Sequence, residues 1–298
     1  MDPFTPAEAA ACRALVDLAL AEDLGPASTP AGDRTSAVTI PPGTTGAADF
    51  VARTPGVLAG LPAAVMVSRV LDPTLTVTLH LHDGNILHRG DRIATLAGPL
   101  VSLLAAERTM LNFLQRLSGV ATLTHTYVDA VAGTSAVVLD TRKTTPGWRL
   151  LEKYAVRAGG GTNHRVGLYD GILIKDNHLA GLGDPAHAVT LAVRAARSHP
   201  AAAGLPVEVE VDTLDQLDQA LACRPDIVLL DNMTPAQLRE AVRRRDAAAP
   251  GVLLEASGGV NLSTVRGIAE TGVDRISVGA LTHSAPALDI GLDYRVGP

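Results

Sequence analysis

The sequence predicts an α/β protein whose second half forms a parallel sheet covered by helices. Short β-branched runs alternate with helical segments six times between residues 136 and 278. The runs are apolar almost throughout, which is typical of strands buried on both faces of a parallel sheet. Six βα units favour a partial barrel of the TIM type, and an open doubly wound sheet is the alternative. No glycine fingerprint for a dinucleotide follows the first of these strands.

The first half of the chain carries mixed elements. Thr5 is suited to cap the first helix, and a linker rich in Pro and Gly follows at 25–32. Ser118 and Gly119 separate the last two helices of this half. The predicted helices are at 7–22, 62–71, 100–117 and 121–131. The predicted strands are at 33–40, 46–59 and 74–81.

The second half supplies the barrel elements, which are assigned by their apolar periodicity and by the turn residues between them. The predicted strands are at 136–139, 172–174, 207–211, 227–230, 252–254 and 276–278. The predicted helices between them include 185–196, 214–222, 235–244 and 262–270.

Composition excludes several classes of protein. With 298 residues, 47% apolar and 19% charged, the chain is an ordinary globular protein of one or two domains. A formal net charge of -6 argues against nucleic-acid binding. Cys12 and Cys223 match no metal-ligand spacing and indicate a reduced compartment. Because neither a secretory signal nor a membrane-length apolar run is found, we expect a soluble cytoplasmic protein without a membrane partner.

The basic residues are concentrated in one segment. All three lysines, Lys143, Lys153 and Lys175, lie within 139–178 together with four arginines and two histidines. Lysine suits phosphate as a point charge, whereas the planar fork of arginine fits carboxylate, so the segment predicts a ligand with both kinds of anion. A solvated basic face is the alternative. We expect surface or scaffold roles for Lys153 and Arg157, on a helix between the binding elements.

Polar residues lie at the end of every predicted barrel strand, where the strands of a βα barrel converge on one mouth. A single one of them is explained by helix capping, but six strands ending in this way favour a functional site. Glu210 and Asp231 suit Mg²⁺, with hydrogen bonding to sugar hydroxyls as a competing or additional role. The residues are Asp140, Arg142, Lys143, Lys175, Asp176, Glu210, Asp212, Asp231, Asn232, Glu255, Ser257 and Gly279.

Glycines follow the last two strands, where βα barrels commonly bind phosphate. The motifs are Ser257-Gly258-Gly259 and Val278-Gly279-Ala280. Backbone N–H groups of such loops approach phosphate oxygens closely, although simple turns use the same residues. His283 either joins this site or caps the segment. Arg108, in the helix at 100–117, is interpreted either as an exposed ion pair with Glu107 or as a residue presented at a subunit interface.

Motifs along nearly the whole chain resemble those of the quinolinate phosphoribosyltransferase family, in the family's order. The resemblance implies an N-terminal α/β sandwich domain at 1–117, joined by the tail 285–298, and a partial βα barrel at 118–284. It also implies a head-to-tail homodimer in which Arg108 enters the partner's active site. The motifs are EDLG, GDRTS, AERTMLNFLQRLSGVAT, DTRKTTPG, EKYAVRAGGGTNHR, GILIKDNH, EVEVDTL, LLDNM, EASGGVNL and GVDRISVGALTHS.

The resemblance also implies roles for site residues. The groups around the pyridine dicarboxylate would be Arg142, Arg165, Lys175 and the neighbour's Arg108. Those facing pyrophosphate would be Lys143, His164 and Lys175. Ribose hydroxyls and Mg²⁺ would be held by Glu210 and Asp231. The 5-phosphate site would be lined by Ser257, Gly258, Gly279 and His283. The substrate-binding set is completed by Thr141, Gly259, Val278 and Ala280. The catalytic set would be Lys143, Lys175, Glu210 and Asp231.

The activity implied is transfer of a phosphoribosyl group from phosphoribosyl pyrophosphate (PRPP) to quinolinate with decarboxylation, in de novo NAD biosynthesis. The products would be nicotinate mononucleotide, pyrophosphate and CO₂. The sequence has no GxSxG motif, and neither cysteine lies in a motif that would activate it. It therefore does not suggest a serine or cysteine nucleophile. Two rival functions fit the residues less well. One is a Schiff-base lyase that uses Lys175, and the other is a phosphate- or nucleotide-binding relative without turnover.

Overall fold

A computed structural model describes residues 4–184 and 186–295. The described chain divides into two compact units. The first contains the described residues of Met1–His125, Thr144–Gly160 and Leu281–Pro298, and the second contains Thr126–Lys143 and Gly161–Ala280. Some predicted bounds lie outside the described residues. They are the first residue of the helix predicted at 185–196, the start of the domain range that begins at residue 1, and the end of the tail that finishes at residue 298.

Helices and strands alternate mainly in the second half of the chain. The helices are α1 (Pro6–Leu24), α2 (Arg34–Thr39), α3 (Leu61–Leu71), α4 (Leu100–Ala130), α5 (Arg149–Ala158), α6 (Asp176–Ala180), α7 (Ala188–Ser198), α8 (Leu214–Cys223), α9 (Pro235–Ala248), α10 (Val265–Ala269) and α11 (Ala280–His283). The strands are β1 (Thr45–Ala52), β2 (Gly56–Val57), β3 (Thr76–Leu79), β4 (Ile86–Leu87), β5 (Arg92–Pro99), β6 (Val137–Leu139), β7 (Ile172–Ile174), β8 (Val207–Val211), β9 (Ile227–Asp231), β10 (Leu253–Ser257), β11 (Arg275–Ser277) and β12 (Ile290–Arg295). Among the described helices, none has the length and apolar character needed to cross a membrane.

The first unit is built around an antiparallel sheet in the order β12-β1-β5-β3. Strand β12 pairs with β1 from Ala47–Arg295 to Ala52–Ile290, so a segment from the end of the chain completes this sheet. Helix α1 packs against α3 and buries the face of Cys12, Val16 and Leu20, which recur at helical spacing. This layered sheet-and-helix unit has the fold predicted for the N-terminal domain, but it also contains 118–125, 144–160 and 281–284, which the predicted range 118–284 gave to the barrel.

The strand predicted at 33–40 is wrong, because this segment forms helix α2. Its β-branched residues favour a strand, but Asp33 provides a strong start signal for a helix. The Asp33 carboxylate accepts a hydrogen bond from the Ser36 backbone N–H at 3.0 Å. The Val38 side chain is 84% exposed. Burial of this β-branched residue in a sheet therefore does not compete with helix formation.

The helix break predicted at Ser118-Gly119 is also wrong, because α4 continues for 31 residues. Ser118 is buried, and its hydroxyl both donates to the Ala59 carbonyl and accepts from the Ala59 N–H, each at 3.0 Å. Gly119 lies against another backbone segment, where a Cβ atom would be 2.0 Å from the Pro286 carbonyl oxygen. The glycine therefore permits close packing of two segments rather than ending the helix.

Gly119→Ala should destabilise the first unit by about 3 kcal/mol or more, since neither backbone segment can move without repacking. Denaturant unfolding followed by circular dichroism measures the change. The control is Gly267→Ala in α10, where a Cβ atom meets nothing within 4 Å. That control should be neutral or stabilising by up to ~1 kcal/mol from helix propensity. Wild-type stability in Gly119→Ala contradicts the packing argument.

Helix α5 contradicts the surface interpretation of Lys153. The Lys153 side chain is buried, with 1% of its surface exposed. Arg157, one turn further along, pairs with the buried carboxylate of Glu8 at 2.7 Å and lies over the ring of Tyr154. Both basic residues therefore belong to the scaffold of the first unit.

The second unit is a six-stranded parallel sheet in the order β6-β11-β10-β9-β8-β7. Strands β7 to β11 are neighbours in sequence order, and β6 pairs with β11. This is the order of a βα barrel that is open between its first two strands, β6 and β7. Leu139 of β6 instead forms an isolated bridge with Thr162, which precedes β7. The prediction of a partial barrel is confirmed, and the doubly wound alternative is wrong.

Candidate active site

A cavity of about 690 Å³ lies in the second unit at the carboxyl ends of the barrel strands. Its volume falls in the range typical of small-molecule sites. Asp231, Ser257 and Ser277 line it, and each is the last residue of its strand. The other lining residues are Thr141, Arg142, Lys143, His164, Arg165, Leu173, Lys175, Glu210, Leu229, Asn232, Glu255 and Gly258.

Ten of the predicted site residues line this one cavity. The remaining six do not, and they divide between the two units. Gly259, Val278, Gly279 and Ala280 belong to the second unit, whereas Arg108 and His283 belong to the first. The ten that line the cavity are Thr141, Arg142, Lys143, His164, Arg165, Lys175, Glu210, Asp231, Ser257 and Gly258.

Asp140, at the end of β6, organises the loop that carries His164 and Arg165. Its side chain has no exposed surface. One carboxylate oxygen accepts the His164 backbone N–H at 2.8 Å, and the other accepts the Asn163 side-chain amide at 2.7 Å. Charge-assisted hydrogen bonds of this kind are short and strong, so Asp140 has a scaffold role beside the cavity.

Arg142 and Arg165 create a strongly positive part of the cavity. Burial and the neighbouring charge of Arg142 lower the pKa of the Arg165 guanidinium. The same guanidinium donates to the Gly171 carbonyl at 3.0 Å, which holds it in place. A bound anion would relieve the repulsion between the two guanidinium groups, and a carboxylate matches their planar forks.

Lys175 and Glu210 form an ion pair in the cavity. The Lys175 Nζ atom is 2.8 Å from a Glu210 carboxylate oxygen. The Lys175 side chain is 45% exposed, whereas that of Glu210 is 10% exposed. The ammonium group thus neutralises a nearly buried carboxylate while remaining accessible to a ligand.

Glu210 and Asp231 contribute the oxygen donors expected for Mg²⁺. Both line the cavity, and one Asp231 oxygen accepts the Asn232 side-chain amide at 2.6 Å. Mg²⁺ is commonly bound through one or two carboxylates together with water and phosphate oxygens, so this donor set fits it. The Lys175 ion pair leaves the second oxygen of Glu210 for a sugar hydroxyl or an ion.

Gly258 needs to be glycine for two reasons. Its φ of +88° lies in the left-handed region, and a Cβ atom would be 2.2 Å from the Asn232 side-chain oxygen. Asn232 itself donates its backbone N–H to the Ser257 carbonyl at 2.9 Å and has a φ of 52°. The loop therefore depends on Asn232, which the sequence placed at a strand end but not among the ligand-binding residues.

The second glycine motif is positioned differently. Val278 is buried, and its backbone N–H donates to the Leu139 carbonyl at 2.8 Å, which extends the β6–β11 pairing. The side chain of Val278 thus belongs to the barrel wall. Its phosphate-binding role, like those of Gly279 and Ala280, stays a prediction about the loop backbone.

His164 is held through both ring nitrogens. Its Nε2 atom lies 3.1 Å from Glu208 and 3.4 Å from Glu255, and Nδ1 accepts the Arg165 backbone N–H at 2.7 Å. Burial of the ring lowers the pKa of His164, whereas the two carboxylates beside Nε2 raise it and favour a proton on that nitrogen. The bond to Nδ1 needs a lone pair there, so in this arrangement the ring proton lies on Nε2.

The sequence analysis did not identify Glu208 or Arg275 as residues of the site. Arg275 donates to Glu255 at 2.8 Å, and Glu208 lies two residues before Glu210 in β8. The alternation of Val and Glu in β8 places both glutamates on one side of the strand. This pattern was the available signal that Glu208 also points into the barrel.

Known proteins are similar to this chain over most of its length. The family description "Quinolinate phosphoribosyl transferase, C-terminal domain" matches residues 120–293, and the N-terminal domain of the same family matches residues 33–118. A nicotinate-nucleotide pyrophosphorylase [carboxylating] of Mycobacterium leprae is 50% identical over 266 residues, covering 88% of this chain and 90% of that protein. A probable one of Bacillus subtilis is 45% identical, covering 83% and 82%. The nicotinate-nucleotide pyrophosphorylase structure from Francisella tularensis has a TM-score of 0.86 at 39% identity, covering 99% and 100%.

Proposed function

The chain belongs to the quinolinate phosphoribosyltransferase family, and from that premise we propose that its barrel cavity is the active site of the family reaction. The enzyme transfers the phosphoribosyl group of PRPP to quinolinate and releases pyrophosphate and CO₂. The product is nicotinate mononucleotide, for de novo NAD biosynthesis. The observation that carries this proposal is the gathering of Arg142, Lys143, Arg165 and Lys175 around one cavity that three acidic residues also line.

The charges of the cavity complement those of the two substrates. Quinolinate has two adjacent carboxylates, which suit the guanidinium forks of Arg142 and Arg165. PRPP has a monophosphate and a pyrophosphate, which suit the lysines and the loop containing Gly258. Lys175 is assigned to the junction of the two substrates, since it is exposed and already bonded to Glu210.

Charge separation dominates the first chemical step. As the bond from ribose C1 to the pyrophosphate oxygen breaks, positive charge develops on the sugar and negative charge on the leaving group. Lys143 stabilises the leaving group, Glu210 and Asp231 hold the ribose hydroxyls, and the arginines keep the quinolinate nitrogen in line with C1. Orientation and fixed charge supply most of the rate enhancement in such a reaction.

Decarboxylation follows from the product of that step. The alkylated nitrogen is a pyridinium, whose positive charge stabilises the electron pair left on the adjacent ring carbon when the carboxylate departs as CO₂. The ring carbanion then takes a proton, so atoms and charge balance without a covalent enzyme intermediate.

We also propose a resident or substrate-borne Mg²⁺ at Glu210 and Asp231, the two cavity carboxylates whose oxygens fit it. When bound, Mg²⁺ would supply countercharge for the pyrophosphate.

The proposed assembly is a homodimer in which Arg108 reaches the neighbouring active site. Arg108 is exposed on α4, whereas the next two residues, Thr109 and Met110, are buried. An exposed arginine on an otherwise buried stretch suits a subunit contact. We place the enzyme in the cytoplasm, without nucleic-acid or membrane partners.

A paired assay with quinolinate and nicotinate tests the function. With PRPP and Mg²⁺, quinolinate should release pyrophosphate and CO₂, and we expect nicotinate to react at least about a hundredfold more slowly because it leaves one carboxylate site empty. Turnover of nicotinate alone contradicts the substrate assignment, and no turnover of either favours the binding-protein rival. Borohydride should trap no adduct on Lys175, because a reducible adduct is the mark of the lyase rival.

A further inference from the structure

We propose that Glu208 and Glu255 are positioning residues that act on quinolinate binding through His164 and Arg165. This inference rests on the proposed function and deepens it, because neither glutamate was assigned a role in binding. With His164 and Arg275 they form what we call the buried cluster, and every member belongs to the second unit.

The buried cluster is a continuous chain of polar contacts. Arg275 donates to one oxygen of Glu255 at 2.8 Å, and the other oxygen lies 3.4 Å from His164 Nε2. Glu208 approaches the same nitrogen at 3.1 Å. The opposite ring nitrogen, Nδ1, accepts the Arg165 backbone N–H at 2.7 Å. The two carboxylates therefore set the orientation of the imidazole, and the imidazole sets the backbone from which Arg165 projects.

Burying two carboxylates costs free energy of folding, so their presence in the barrel needs an explanation other than stability. Glu208 is 3% exposed and Glu255 is completely buried. One oxygen of Glu208 has no hydrogen-bond partner among the residues that the structure describes, and the Glu255 oxygen that faces His164 has only that 3.4 Å approach. Buried charges rarely stabilise a fold more than apolar residues of similar size, so the cluster is better explained by orientation than by stability.

Packing alone does not fix the loop that carries Arg165. His164 and Arg165 line the active-site cavity, and they also line a second cavity of about 220 Å³ together with Glu208 and Arg275. Open space therefore adjoins this loop at two cavities, where it lacks the close-packed neighbours of a core. The hydrogen bonds of Asp140 and of the buried cluster replace them.

The same atoms also resemble a metal site. Ligand atoms of His164, Glu208 and Glu255 lie within 4.8 Å of one another. However, Nε2 carries the ring proton between the two carboxylates, and Arg275 already neutralises one of them. We therefore assign the cluster to positioning and not to a cation.

Glu208→Ala and Glu208→Gln test the role. We expect Glu208→Ala to raise KM for quinolinate by about tenfold or more, while KM for PRPP stays within about twofold. Glu208→Gln keeps a hydrogen-bond acceptor of the same size and should give an intermediate rise of about threefold. If the alanine variant does not fold, a selective rise in the glutamine variant decides the question.

Arg245→Met is the matched control. Arg245 is a buried arginine of the same unit, bonded to Asp274 at 2.6 Å, and its loss should lower stability while leaving both KM values unchanged. Unchanged KM for quinolinate in both Glu208 variants, or an equal rise for both substrates, overturns the positioning role. Failure of the proposed function is distinguishable, because the wild-type enzyme would then fail to turn over quinolinate.

Discussion

Arg165→Ala should reduce kcat/KM for quinolinate by about a thousandfold, equivalent to ~4 kcal/mol of lost transition-state stabilisation. Arg165 is partly buried, is fixed by the Gly171 carbonyl, and lies in a cavity where the charge of Arg142 already lowers its pKa. A carboxylate bound there makes charge-assisted hydrogen bonds to a partly buried guanidinium, and alanine removes them without a substitute. Arg142→Ala should have an effect of similar size.

Steady-state kinetics with varied quinolinate measure the loss, and circular dichroism establishes that the fold survives. The matched control is Arg243→Ala, because Arg243 is 71% exposed and pairs with Glu240 on the same helix, α9. Loss of such a surface pair should change stability by less than ~1 kcal/mol and should not alter kinetics. Near-normal turnover in both cavity variants contradicts the carboxylate-binding assignment.

Lys143→Ala should lower kcat by about a hundredfold to a thousandfold, with little change in KM for quinolinate. Negative charge on the leaving pyrophosphate develops during bond breaking, so the loss of a positive charge there affects the transition state more than the bound substrates. Lys143 is an exposed residue of the cavity, and its backbone N–H is held by the Thr141 hydroxyl at 3.0 Å.

Lys143→Arg separates charge from shape. Arginine keeps the positive charge but replaces a compact ammonium with a larger fork, so we expect activity between those of the wild type and the alanine variant. Arg239→Ala, an exposed change on α9, controls for the loss of one positive charge. Full activity in Lys143→Ala, measured as pyrophosphate release in single turnovers, contradicts the leaving-group role.

The barrel was predictable because its signals are local and repeated. Most of the strands are short segments rich in apolar residues, and the last residue of each strand or the next one is polar. The errors in the first unit have different causes, of which one is local. Helix α2 is decided by the Asp33 cap, and the continuity of α4 at Gly119 depends on the carbonyl of Pro286, far along the chain. Periodicity does not report such close approaches.

The residues of the candidate site also divide into those that sequence patterns predict and those whose importance comes from tertiary contacts. Residues at strand ends, such as Arg142 and Asp231, were predictable because barrel topology brings those ends together. Glu208 and Arg275 were not, since they lie deeper in the barrel and their importance comes from contacts with His164. Lys153 was counted with the cavity lysines in one segment, yet its helix buries it in the first unit.

The pairing of β1 with β12 also has a consequence for synthesis. Strand β1 emerges early from the ribosome, but its partner at 290–295 emerges only after every strand of the barrel. Until then one edge of β1 has no partner strand, and exposed edges promote association with other chains. The barrel strands therefore become available for folding first, and the first unit closes last, so nascent chains stalled before β12 are the ones most exposed to aggregation.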